Sequence, residues 1–284
     1  MYKSLAEYLK GKYGMKIKKI CIDGGFGCPN RDGTVGIGGC IYCGERGAGE
    51  HIDPTRSIRD QVIFGIQNTH ADGFIAYFQN FTNTYADVST LKERYDAALI
   101  DERIKVLAIG TRPDCIDREI ASLLASYKET LDVWVELGLQ TANDRVAEVM
   151  NRGYKTERYI EAARILTEYG IPFVTHMIIG LPDSTPEDDM TTVGLINSVG
   201  SFGIKIHSIY VMEGTRLAEM YREGIYTPPT REEYISRAVN VLQTLSPEII
   251  VHRITGDCPK EMLVAPLWNT DKNEIISEIR ARLT

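Results

Sequence analysis

Long apolar runs are missing from this sequence. Stretches such as residues 177–181 are short, far below the ~20 apolar residues that a membrane-spanning helix needs. No apolar core of ~7–15 residues with a small-residue cleavage site follows the N-terminal lysines, so a secretory signal is not expected and the cytoplasm is the expected location. Cysteine is scarce as well. Six in 284 residues cannot build a disulfide scaffold, yet four of them crowd between positions 21 and 43, which in a reducing compartment points to metal. The sequence has no phosphate-binding P-loop, no His-Glu-x-x-His and no Gly-x-Ser-x-Gly turn, so nucleotide hydrolysis, zinc proteolysis and serine hydrolysis find no residues to carry them. There is no excess of positive charge either. Lys and Arg number 32 against 39 Asp and Glu, for a net −7, which excludes a uniformly basic nucleic-acid binder. The asymmetry is local: residues 1–19 hold six lysines against Glu7 alone, so +5 sits there and −12 on the rest.

What is present is a globular composition, 43% hydrophobic and 25% charged, and a regular alternation. Strand-like stretches recur at 16–23, 73–78, 105–110, 133–139, 173–180 and 205–212, rich in β-branched and aromatic residues and bounded by Gly, Pro or Asp. Between them, 57–69, 89–101, 117–128, 143–151, 156–169 and 185–199 carry apolar residues at helical spacing. Strands that alternate with helices pair in parallel through right-handed crossovers, as an open doubly wound sheet or as a curved, barrel-like one. Past residue 215 the rhythm changes to helices at 216–223, 231–245 and 272–283 around a strand at 248–255. The chain therefore divides into a basic leader 1–15, a core 16–215 and an extension 216–284 packed on it, covering one end of the sheet or shaping a substrate site.

The chemistry concentrates in residues 28–43, CPNRDGTVGIGGCIYC, a glycine-rich loop directly after the first strand. Cys40 and Cys43 form a Cys-x-x-Cys, and glycines let the backbone wrap a bulky group closely. A structural zinc would need a fourth ligand, which Cys21 could supply; a thioredoxin-type pair would leave Cys28 idle; three cysteines on one loop suit an iron–sulfur cluster with one open iron.

The loop resembles the cluster-binding loop of the radical SAM superfamily, and its Cys-x11-Cys-x2-Cys spacing is similar to the YtqA/YhcC-type branch. Further likeness lies in YFQNFTNTY at 77–85, GTRPD at 110–114, VELGLQT at 135–141, MNRGY at 150–154, HMIIGLP at 176–182 and the VAPLW ending at Trp268. Thr-Arg-Pro-Asp and Glu-x-Gly-x-Gln also resemble the radical SAM domain of the Elongator catalytic subunit. The resemblance implies a partial (β/α)6 barrel, in place of the open sheet, with a C-terminal α/β extension. It implies a [4Fe–4S] cluster on Cys28, Cys40 and Cys43 whose fourth iron takes S-adenosylmethionine (SAM), reductively cleaved to a 5′-deoxyadenosyl radical with an electron from a reducing donor.

Site residues at barrel strand ends follow from the same likeness. Gln79 and Asn80 would meet the SAM amino group, Glu136 a ribose hydroxyl or Arg112, Gln140 the same ribose or the substrate, and Arg152 the SAM carboxylate. Ile178, Ile179 and Gly180 would offer backbone to the adenine, with His207 and Tyr210 near adenine or substrate. His176 reads as a core histidine and Cys21 as a buried structural thiol. Cys115 and Cys258 read as free thiols, with a redox or hydrogen-donor role as the alternative. The branch implies tRNA as partner, with chemistry on the 5-carboxymethylaminomethyl group of the wobble uridine towards 5-aminomethyl and 5-methylaminomethyl forms. Lys10, Lys12, Lys16, Lys18 and Lys19 would then touch tRNA phosphates. The alternatives are a radical SAM enzyme of a small metabolite or peptide, and a non-catalytic zinc-binding module.

Overall fold

The computed structural model describes residues 2–47, 49 and 52–284. Seven strands form one parallel sheet in chain order: β1 (Ile17–Ile22), β2 (Gly73–Phe78), β3 (Ile104–Thr111), β4 (Asp132–Gln140), β5 (Phe173–Ile179), β6 (Gly203–Ser208) and β8 (Ile250–Arg253). Among the described residues, the short β7 (Val211–Met212) and β9 (Leu263–Ala265) stand apart, paired antiparallel. The curled sheet is the half-barrel that the resemblance implied, one of the two arrangements the alternation left open, with one strand more than six. The seventh comes from the extension, because β8 continues the sheet beside β6.

Helices α2 (Ile58–Asn68), α3 (Val88–Ala98), α4 (Arg118–Tyr127), α6 (Thr156–Glu168) and α7 (Pro186–Ser198) cover the outer face, with the short α5 (Asp144–Val149) following β4. Side chains cap their first turns. Asp117 accepts from the Ile120 amide at 2.8 Å, and Thr185 and Asp188 form a reciprocal cap behind Pro186 at the first turn of α7. The outer strand face and the helices bury one apolar layer, with Ile22, Leu107, Val135, Met177 and Ile206 on the sheet side and Leu124, Leu166 and Ile196 on the helix side. From the extension, α8 (Arg216–Arg222) follows β7 near the mouth. α9 (Arg231–Thr244) packs on α7, where Arg237 pairs with Asp189 at 2.6 Å, and α10 (Lys272–Arg282) packs on α9.

The barrel floor is closed by α1 (Leu5–Tyr13). The Val251 amide donates to the Lys3 carbonyl at 2.9 Å, so the chain enters beside β8, crosses beneath the sheet and emerges into β1. Leu9 is buried there among Ile17, Val106, Trp134 and Val174, the lowest inward-facing residues of the strands. Because every strand of the sheet is parallel, the lysines of α1 and the start of β1 lie at this lower end, while the cysteine loop leaves the upper end of β1.

Candidate functional site

Inward and outward residues alternate along each strand, which sorts the candidate residues before any chemistry is considered. On β4 the inward set is Glu136, Gly138 and Gln140, so Glu-x-Gly-x-Gln is a period-two pattern written on one face. Above the floor these residues, with Tyr77, Gln79, Gly110, His176, Ile178, Lys205 and His207, enclose a cavity of about 290 Å³ that Cys28, Cys40, Cys43 and Cys21 also line. Glycine at 110 and 138 keeps it open. A Cβ at Gly110 would lie 3.0 Å from the Phe78 carbonyl oxygen, and one at Gly138 would lie 2.5 Å from Gln140 Nε2. Gln140 itself has φ 62°, a left-handed conformation that costs a non-glycine residue free energy and that functional sites retain.

The cysteine loop is held by residues that looked ordinary in the sequence. Fully buried Asn30 donates to the Asn151 carbonyl at 2.6 Å and to Cys40 Sγ at 3.8 Å. Arg31 donates to the carbonyl oxygens of Gly44 at 2.5 Å and Glu45 at 3.1 Å. Asn151, with φ 53°, donates its side chain to the Gly39 carbonyl at 2.7 Å. The Cys40 thiol is pulled down to about 7 by its hydrogen bond with Cys43, against burial, with help from the Arg112 charge and from Tyr42 and Asn30. The same hydrogen bond, with burial, raises the Cys43 thiol well above its usual range, so of the pair Cys40 is the one the fold favours as thiolate.

Beneath the loop lies a buried ionic cluster. Glu136 is fully enclosed, with Lys19 Nζ at 3.2 Å, His176 Nε2 at 2.8 Å, and Lys205 in contact. Lys205 also donates to the Tyr77 hydroxyl at 3.0 Å. Burial alone would raise the Glu136 carboxyl, but Lys19, Lys205 and His176 outweigh it and hold it well below the usual range. His176 is pushed down to about 4 by burial and by the Lys205 charge, so its ring is neutral near pH 7. Lys205, His176 and Tyr77 were missed as site residues; a lone lysine between Ile204 and Ile206 was the available signal.

Of the residues proposed from the sequence, Gln79, Glu136, Gln140, His207 and Tyr210 line the cavity with the three cysteines. Four do not, and each has a physical reason. Arg152 is 1% exposed and its guanidinium is spent on the protein, donating to the carbonyls of Leu139, Thr141 and Tyr154 and to Asp144; no fork is left for a SAM carboxylate. Asn80 is buried behind the wall, donating to Asp23 at 2.7 Å. The Ile179 side chain points outward into the helix layer and its carbonyl accepts from the Ile209 amide at 3.0 Å. Gly180, at φ 92°, makes its close approach to Pro229, whose Cγ would lie 2.6 Å from a Cβ, not to an adenine. Nor does Arg112 reach Glu136: it forks onto Asp114 at 3.0 and 2.7 Å. Cys115 lies in a separate outer groove beside α4, its thiol pushed up to about 12 by burial. The lysine run also needs correction. Lys19 faces the barrel interior on Glu136, and Lys12 pairs with Asp132 at 2.6 Å; Lys10, Lys16 and Lys18 are exposed at the lower end.

The family model of the Radical SAM superfamily matches residues 25–196, and that of the Radical_SAM C-terminal domain matches residues 202–284. The chain belongs to the radical SAM superfamily. It is 36% identical to the uncharacterized protein YtqA of Bacillus subtilis, over 99% of this chain and 89% of that one. It is 30% identical to the tRNA uridine(34) acetyltransferase of Methanocaldococcus jannaschii, over 67% of this chain and 35% of that one. Among solved structures, Elp3 of Methanocaldococcus infernus superposes with a TM-score of 0.68 at 20% identity, covering 95% of this chain and 64% of that one, a likeness of fold.

As a radical SAM enzyme the protein works with a [4Fe–4S] cluster and S-adenosylmethionine, and the cavity fits that pair. Three thiols line one wall. Two buried polar atoms of cavity-lining residues, His207 Nε2 and Thr82 Oγ1, have no hydrogen-bond partner among the described residues, the condition of groups that await a polar ligand.

Proposed function

We propose that this enzyme modifies the wobble uridine of cytoplasmic tRNA, acting on the 5-carboxymethylaminomethyl arm towards the 5-aminomethyl and 5-methylaminomethyl forms. The observation that carries the reading is the kinship to a tRNA uridine(34) acetyltransferase over two thirds of this chain. In this reading Cys28, Cys40 and Cys43 hold the cluster, and Asn30, Arg31 and Asn151 fix the loop that presents them. Gly110 and Gly138 leave the volume that SAM fills; Gln79, Gln140, His207 and Tyr210 orient it. When bound and reduced by an electron donor, the pair supplies a 5′-deoxyadenosyl radical that takes a hydrogen atom from the substrate. The core 16–215 carries this chemistry, and the extension 216–284 encloses it.

Two experiments test the proposal. Cys28→Ala, Cys40→Ala and Cys43→Ala should each lower iron content and abolish 5′-deoxyadenosine formation, whereas Cys115→Ala, in its outer groove, should leave both intact; iron retained in all three loop variants would remove the ligand assignment. In cells, tRNA from a deletion strain should accumulate 5-carboxymethylaminomethyluridine, measured by nucleoside mass spectrometry. An unchanged nucleoside profile would overturn the tRNA reading.

A further inference from the structure

The ionic cluster under the cavity does not balance its charges. Buried Glu136 is shared by Lys19 and Lys205, two cations on one carboxylate, while Arg253, beside them on the cavity wall, meets half-exposed Asp257 at 3.6 Å. Lys205, Arg253, Glu136 and Asp257 all line the cavity. An ammonium has three donors, and among the described residues only Glu136 and the Tyr77 hydroxyl accept from Lys205. Lys205 is 4% exposed, and burial pulls its ammonium well below the usual lysine range despite Glu136; an anionic group beside its open donor in the cavity would supply the charge partner that keeps it protonated, since burying unpaired charge otherwise costs heavily.

Position narrows the kind of anion. Lys205 is the third residue of β6 (Gly203–Ser208), so it lies about 10 Å below the strand's upper end. Its neighbours there are the side chains of Tyr77, Glu136 and His176. A phosphodiester, flanked by sugars on both sides, does not descend between them. A slender arm ending in a carboxylate does.

We propose that the cavity floor is a carboxylate site in which Lys205, supported by Lys19 and Arg253, binds the terminal carboxylate of the substrate's 5-carboxymethylaminomethyl arm. The inference rests on the tRNA reading above. The chemistry it names, a carboxylate on buried lysine, has a second source in SAM itself, whose methionyl end also carries one, and the test separates the two. Cluster-loaded enzyme is titrated anaerobically with two anticodon stem-loops that differ only in the wobble arm, one ending in the carboxylate and one in the carboxamide; SAM affinity is measured in parallel by equilibrium dialysis.

The wild type should prefer the carboxylate arm by tenfold or more, Lys205→Met should bring the preference to near unity with SAM affinity within twofold of wild type, and Arg253→Gln should reduce the preference by a few-fold. If Lys205→Met weakens SAM binding and keeps the preference, the carboxylate bound is that of SAM and the inference falls. A wild type that binds both stem-loops alike overturns the inference while the tRNA reading stands; one that binds neither overturns both. Should Lys205→Met not fold, Arg253→Gln decides, because Arg253 is partly exposed and its loss leaves Glu136 paired; a wild-type preference in that variant overturns the inference.

Discussion

Arg152 and Glu136 show how a side chain's surroundings decide its role. Both are charged residues in apolar neighbourhoods, and from sequence both read as SAM contacts. Glu136 faces the cavity; Arg152 faces the backbone turn that follows β4, where it satisfies three carbonyls. Removing it strands those buried acceptors at about 1–3 kcal/mol each. Arg152→Met should therefore lower unfolding stability by at least ~2 kcal/mol in a urea titration and leave the SAM affinity of the folded fraction unchanged; weaker SAM binding at full stability would return Arg152 to the site. His176 gives a pH signature. Its pKa is about 4 in the fold against an ordinary 6.5, so the unfolded chain binds the proton more tightly. The contribution is complete above about pH 6.5 and is lost as the pH falls towards 4, roughly 1–2 kcal/mol of it by pH 5. Thermal unfolding between pH 7 and 5 should fall less steeply for His176→Asn than for wild type, and parallel slopes would contradict the assignment. At this scale the three cysteines were legible from their spacing on one loop, and Glu-x-Gly-x-Gln from its resemblance to the family's motif. Lys205, Asn30 and Arg31 were not, because their partners lie on other strands or across the loop and nothing local marks them.

Among the elements, β3 and β4 set the cavity by what they omit. Gly110 and Gly138 face inward where a larger residue would fill the space above Glu136. Gly138→Val should fold, since the nearest atom a Cβ there meets is the movable end of the Gln140 side chain rather than backbone, yet lose SAM affinity by tenfold or more in equilibrium dialysis; normal affinity would mean that the cofactor lies elsewhere. Most of the element order was readable because strand–helix alternation, helical spacing and turn residues agree along each segment. The start of β6 at Gly203, the pairing of β7 with β9 and the joining of β8 to the sheet were not, since each depends on partners distant in the chain. The floor helix α1 shows the same limit: its apolar residues, Leu5, Tyr8, Leu9 and Tyr13, are interspersed with lysines, and only the barrel end explains them.

For the whole molecule, direction matters more than composition. The +5 of the first nineteen residues looked like a polyanion surface, yet the parallel sheet puts it at the end opposite the cysteine loop, separated by strands of six residues in β1, about 20 Å, and two of its lysines are engaged by Glu136 and Asp132. A tRNA that presents its wobble base at the upper mouth meets other surfaces first. Lys10→Ala combined with Lys18→Ala should leave tRNA affinity within about twofold and the salt dependence unchanged; a slope reduced by nearly two would show that both touch phosphate. The central claim, that this cavity couples SAM cleavage to a change in the wobble arm, is tested most directly by incubating the cluster-loaded enzyme with SAM, reductant and tRNA from the deletion strain, then quantifying 5′-deoxyadenosine and modified nucleosides from one reaction. The account predicts that 5′-deoxyadenosine rises when that tRNA is added and that 5-carboxymethylaminomethyluridine falls with it. SAM cleavage indifferent to tRNA, with the wobble nucleoside unchanged, would contradict it.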